Sequence, residues 1–250
     1  MRSKQKLLSL LVLSQITIFA ASGQGKSGWQ EHPNNIKFNA SSGLIYGNAL
    51  IFGYERTVGP HQTFSVFGGT QQLPSFSGLV IPGVRLDKEN RHGGYNFGVD
   101  YRFYLATENK HAPPHGFYIG PYASYYSFRN DNSAHFTFED GSTADGTLKG
   151  DLHALSVGAQ LGYQFVFWKR MTLDLLLFGP SITRYAGTLQ VQSNIDPAKV
   201  PDEVKKILQA IGDRYPVIGE AIKNGSADAK GKVGVWGPGF RYSVHVGFRF

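Results

Sequence analysis

The sequence predicts an all-β fold, an eight-stranded antiparallel transmembrane β-barrel with long extracellular loops. Three observations predict it. Separate segments alternate apolar and polar residues over ten or more positions, which is the period of a strand with two different faces. Short turns and long connections succeed one another along the chain, as in barrels of the Gram-negative outer membrane. After the N-terminus, no further long apolar run offers a helical span.

The chain opens with Arg2, Lys4 and Lys6, followed by an apolar run over residues 7–21 and the small residues Ala20-Ala21-Ser22-Gly23. A basic start, a short apolar stretch and a small-residue end make a secretory signal peptide. Cleavage is expected after Gly23, with Ala21 at the −3 position, so residues 1–23 are read as the signal peptide. Residues 24–35 are read as an N-terminal periplasmic segment and 36–250 as the barrel domain. The signal peptide holds three of the 25 Lys+Arg and none of the 18 Asp+Glu, so its removal lowers the formal charge from +7 to +4. The remaining charge is spread along the chain, and no basic block points to nucleic acid. The sequence has no cysteine. A disulfide scaffold, a thiolate metal site, a cysteine nucleophile and a lipoprotein anchor are thereby excluded.

The last strand is the clearest. Phe240, Tyr242, Val244, Val246, Phe248 and Phe250 fall on one face, and Arg241, Ser243, His245, Gly247 and Arg249 on the other. In a membrane barrel the first face meets lipid and the second the lumen. Residues 95–105 repeat the pattern, with Tyr95, Phe97, Val99, Tyr101 and Phe103 opposing Asn96, Gly98, Asp100, Arg102 and Tyr104. So do residues 155–167, where Leu155, Val157, Leu161 and Phe165 oppose Ser156, Gly158, Gln160 and Gln164. Weaker alternation marks strands at 36–42, 50–56, 63–70, 117–128 and 171–185. Eight strands result, an even number as bacterial barrels require.

Residues 58–62, 107–115 and 168–170 read as short turns. Residues 71–94, 130–153 and 186–237 read as long loops, and only the hairpin around Tyr46-Gly47-Asn48 breaks the rule. Both termini then lie on the periplasmic side. The last loop contains a short helical segment. Pro201-Asp202-Glu203 starts it, with proline in the first turn and acids at the positive helix end. Val204, Ile207, Leu208 and Ile211 form its apolar stripe, Gly212 stops it, and Pro216 opens a second short piece.

Tyr54-Glu55-Arg56, Gly116-Phe117-Tyr118-Ile119-Gly120-Pro121 and Phe248-Arg249-Phe250 resemble a family of small, functionally uncharacterised Gram-negative outer-membrane β-barrel proteins. The resemblance covers roughly residues 35–250. It implies an eight-stranded barrel and brings no catalytic residues with it. The chain end also resembles the sorting signal read by the barrel assembly machinery, with Val246, Phe248 and Phe250 as the matching positions. It departs from that signal in carrying His245 where a glycine is usual, the nearest glycine being Gly247.

The inward strand faces collect Lys37, Glu55, Asp100, Arg102, Asp174, Arg241, His245 and Arg249. The interior of an eight-stranded barrel is just wide enough for side chains to fill. Charges inside it must be paired or hydrated, since an unpaired one costs several kcal/mol. These residues are therefore read as a lumen polar network. Nucleophilic catalysis needs a hydroxyl, a base and an orienting group in contact. Ser243 and His245 share an inward face, with Asp100 or Glu55 across the lumen, but such spacing arises on any polar strand face. His111 and His115 lie four apart, yet Pro113-Pro114 excludes the helical geometry of a metal pair. No catalytic residue, metal ligand or cofactor site is therefore expected. The expected protein is an outer-membrane barrel of structural or interaction type that displays its loops. Its partners would be outer-membrane lipid, the assembly machinery during biogenesis, and a surface or extracellular partner meeting residues 186–237. A narrow passive pore is the alternative, and a lipid-modifying enzyme a more distant one. Bulky inward Tyr104, Tyr118 and Tyr122 weigh against the pore.

Overall fold

A computed structural model describes residues 30–45, 47–72, 84–86, 91–105, 111–137, 141–193 and 232–250. The expected signal peptide and the expected helical segment of the last loop lie outside the described residues. The described strands are β1 (Asn34–Asn39), β2 (Gly47–Gly59), β3 (Gln62–Gln72), β4 (Val84–Leu86), β5 (Arg91–Tyr104), β6 (Gly116–Thr137), β7 (Thr143–Phe167), β8 (Met171–Ser193) and β9 (Lys232–Arg249). A single helical turn, α1 (Ser42–Ile45), joins β1 to β2.

Eight of these strands close a ring. Each of β1, β2, β3, β5, β6, β7, β8 and β9 pairs antiparallel with the next, and β9 returns to β1. The closing ladder runs from Asn35↔Arg249 to Asn39↔His245. Backbone hydrogen bonds between Asn34 and Phe250 join the two ends of the described chain beside it. Closure matters energetically because it leaves no row of unpaired backbone groups around the wall. The short strand β4 pairs with β6 at Ala134–Phe136, in line with β5, and so lengthens the wall without adding a ninth position.

The two faces of the wall differ as the alternation demands. Ile36, Phe52, Phe97, Val157, Phe240 and Phe248 are among the large apolar side chains exposed on the outside. Lys37, Glu55, Asn96, Asp100, Arg102, Gln160, Gln164 and Asp174 are buried inside. A water-soluble barrel would reverse this arrangement, since burying polar groups while exposing apolar ones runs against the hydrophobic effect.

Several details differ from the sequence reading, and the expected loops 71–94 and 186–237 are shortened at both ends, since β3 runs to Gln72, β5 starts at Arg91, β8 runs to Ser193 and β9 starts at Lys232. The barrel begins at Asn34, two residues before the expected boundary at 36. Its first strand stops at Asn39 instead of 42, because Ser42 turns into α1, its N–H donating to Asn39 Oδ1 at 3.0 Å and its hydroxyl to the Asn39 carbonyl at 2.8 Å. The expected loop 130–153 is mostly an extension of the β6–β7 ladder, which continues to Thr137↔Thr143. The apolar–polar alternation fades over residues 131–137 and 143–151 while the backbone ladder persists. Finally, β8 carries one extra residue, since Leu161↔Phe178 is followed by Gly162↔Leu176. Leu177 and Phe178 both point outward at this bulge, and the facing pattern resumes in the opposite phase with Thr183 inward and Ile182 outward.

Candidate functional site in the barrel lumen

At the end with the short turns, the lumen is filled by a charged lattice. Lys37 Nζ lies 3.0 Å from Glu55 Oε2 and 2.8 Å from Asp174 Oδ2. Arg102 contacts Asp100 through Nε at 2.7 Å, and Asp174 and Glu55 through Nη1 at 2.7 and 3.4 Å. Its guanidinium also lies 4.3 Å from the centre of the Tyr118 ring. These five charged residues come from β1, β2, β5 and β8, so the ion pairs cross the lumen and tie together strands that are distant in the ring.

Neutral groups complete the lattice. Gln164 Oε1 accepts from Lys37 Nζ at 2.9 Å and from Arg102 Nη1 at 3.2 Å, while its Nε2 donates to Glu55 Oε2 at 3.0 Å. Tyr118 donates its hydroxyl to Asp174 Oδ1 at 2.8 Å. Thr63 and Asn35 donate to the two Glu55 oxygens at 3.0 and 3.1 Å. Sequence reasoning missed these supporting residues as a group. The alternation does turn Gln164 inward, but nothing in one strand reveals which partners wait on the far wall. Gly162 is part of the same design: a Cβ there would overlap the Tyr118 hydroxyl and approach the Leu175 carbonyl oxygen to 2.6 Å.

The other expected lumen residues sit at the edges of this lattice. Arg241 Nη2 is 3.7 Å from Asp100 Oδ2, and His245 Nδ1 is 3.8 Å from Asp174 Oδ2. Arg249 stands apart at the turn end, where it donates to the His32 carbonyl at 2.9 Å and the Lys169 carbonyl at 3.4 Å. Val246, Phe248 and Phe250 all point outward from the wall.

Above the lattice, toward the long connections, the lumen widens into a cavity of about 270 Å³. Hydroxyls and amides line one part of it and Ile51, Phe67, Phe128 and Leu152 another. The two halves of the lumen differ in hydrogen bonding. Among the described residues, every buried side-chain polar atom of the lattice residues named above has a partner, whereas Gln71 Nε2, Asn96 Oδ1, Ser124 Oγ and Arg241 Nη1 around the cavity have none, nor do Ser65 Oγ, opposite Asp100 in the β3–β5 ladder, and both amide atoms of Gln160.

The catalytic and metal arrangements weighed from the sequence take definite positions. Ser243 Oγ lies 3.5 Å from His245 Nδ1. Asp174 approaches the same ring nitrogen. A relay needs the carboxylate on one nitrogen and the hydroxyl on the other, so these three residues do not form one. His111 and His115 come closer than their proline spacer suggested, with ring centres 4.6 Å apart. The turn, and not a helix, brings them together. Burial, then the neighbouring His111 and Arg249, holds the His115 imidazole below its ordinary pKa. Among the described residues, no group of three or more His, Cys, Asp or Glu is placed to hold a metal ion.

Comparison with known proteins adds little beyond this geometry. No family model matches the chain. No curated protein matches it either. Among solved structures, the crystal structure of Acinetobacter baumannii CarO2 is similar, with 14% sequence identity, 88% of this chain and 98% of that chain covered, and a TM-score of 0.42. The fold assignment rests on the closed ladder of the chain itself.

Proposed function

We propose that this protein is an outer-membrane β-barrel of structural or interaction type, with a closed lumen and a loop end that faces the cell exterior. One observation carries the reading: an apolar belt surrounds the ring while a fully partnered ion-pair lattice fills its turn end. Lipid is the solvent that suits such an outside, and a bilayer demands a wall with no unpaired backbone. Side chains paired across the turn-end lumen occupy the space that a path for water or ions would need. We read the protein as non-enzymatic, since Ser243, His245 and Asp174 do not form a relay. Lipid, and a surface partner at the loop end around residues 186–237, are the partners this reading assigns. Outward Val246, Phe248 and Phe250 are the positions the assembly machinery would recognise.

Planar-bilayer recordings on refolded protein test the reading. The expected result is a silent membrane at fusion levels where a porin control conducts. Regular ohmic steps from the wild-type protein would overturn the closed lumen and favour the narrow pore.

A further inference from the structure

The cavity at the loop end is built unlike the lattice beneath it, and Arg241 is the centre of the difference. Its side chain is only 10% exposed. The guanidinium is held over two rings, 4.3 Å from the centre of Phe67 and 5.1 Å from that of Tyr122. Guanidinium offers five N–H donors and no acceptor. Yet the nearest carboxylate, Asp100, is 3.7 Å away, beyond hydrogen-bond range, and spends its Oδ1 on Arg102 at 2.7 Å. Arg241 Nη1 is buried and has no partner among the described residues. The rings fix the group in place, and among the described residues that line the cavity it faces there is no carboxylate.

We infer that this cavity binds a small organic monocarboxylate with a compact apolar body, its carboxylate taken by Arg241. The charge class follows from Arg241, the one guanidinium or ammonium among the described residues that line the cavity, since guanidinium–carboxylate hydrogen bonds are among the strong ones. Asp100 behind it disfavours a second negative charge on the ligand. The apolar body follows from Ile51, Phe128 and Leu152 on the wall. Ser124 Oγ and Gln71 Nε2, unpartnered among the described residues, add further polar groups to the cavity wall. A volume of about 270 Å³ equals the space of roughly nine waters and accepts a ligand the size of benzoate. This inference needs only the barrel and holds whether or not the lumen conducts.

Equilibrium dialysis of radiolabelled benzoate against the refolded full chain in detergent, with empty micelles as the blank, tests it. The expected result is saturable binding of one equivalent. Arg241→Gln, and the neutral probe benzamide with the wild type, should each bind about tenfold more weakly or worse. Ser124→Phe, which fills the cavity and leaves the charges alone, should abolish saturation. A folded wild-type barrel without saturable binding would overturn the inference. Equal binding of benzamide and benzoate would also overturn it, and this arm decides the matter if Arg241→Gln does not fold.

Discussion

Arg102 is the residue on which the lattice converges, because it touches Asp100, Asp174 and Glu55 at once. Arg102→Ala leaves those carboxylates to Lys37 and to the more distant Arg241. Breaking a buried pair in this way costs on the order of 3–5 kcal/mol. Val99, on the opposite face of the same strand, fails for a different reason. Val99→Arg places a charge in lipid, at roughly 2–4 kcal/mol near the midplane. Urea midpoints in lipid vesicles should fall for both variants. An Arg102→Ala midpoint equal to wild type would mean the lumen is hydrated as an open channel is, where such pairs are worth less than about 1 kcal/mol. A gain is available at Lys169. Trp168 and Lys169 hold φ values of 49° and 66° in the turn between β7 and β8, a left-handed conformation that suits glycine. Lys169→Gly keeps the carbonyl that Arg249 contacts and relieves the strained φ. The same urea titration should show stabilisation of about 0.5–1 kcal/mol.

At the scale of the strand, β7 and β6 depend on one small residue. Gly162→Ala sets a methyl group against the Tyr118 hydroxyl and the Leu175 carbonyl, and should separate Tyr118 from Asp174. The expected loss is about 1–3 kcal/mol by urea midpoint, as for overpacked sites, and an unchanged midpoint would remove Tyr118 from the lattice. This is also the scale at which the sequence was most and least legible. Residues 95–105 and 155–167 announced their strands because one face meets an apolar solvent and the other a polar lumen. Residues 131–137 and 143–151 announced nothing, although they continue the same ladder, because their sequence is mostly polar and carries no sustained apolar alternation. The bulge at Leu177–Phe178 was invisible for a related reason, as two adjacent apolar residues fit either phase. The charged site residues were legible one strand at a time from their inward positions. Their partners were not, because which inward side chains meet across the lumen depends on strand order and stagger, neither of which a single strand encodes. Gln164 and Tyr118 thus entered the site only once the ring had closed. The looser position of Arg241, and the cavity beside it, likewise needed the assembled barrel.

For the whole molecule, one physical contrast organises the account. The outside of the ring is apolar and aromatic, the turn-end lumen is a satisfied ionic lattice, and the loop-end lumen is a polar and apolar cavity with unpartnered donors. Lattice and belt together suit the proposed barrel in lipid, in which charges avoid the hydrocarbon by facing one another. Unfolding such a barrel must break a closed ladder, with no edge from which to unzip, so it should resist detergent until heated. Gel migration of protein refolded into phospholipid vesicles, compared unheated and after boiling in detergent, is therefore the most direct test. A closed barrel in lipid gives a compact, displaced band before heating that shifts to the unfolded position afterwards. Identical migration before and after heating, from protein that had not entered the vesicles, would contradict it.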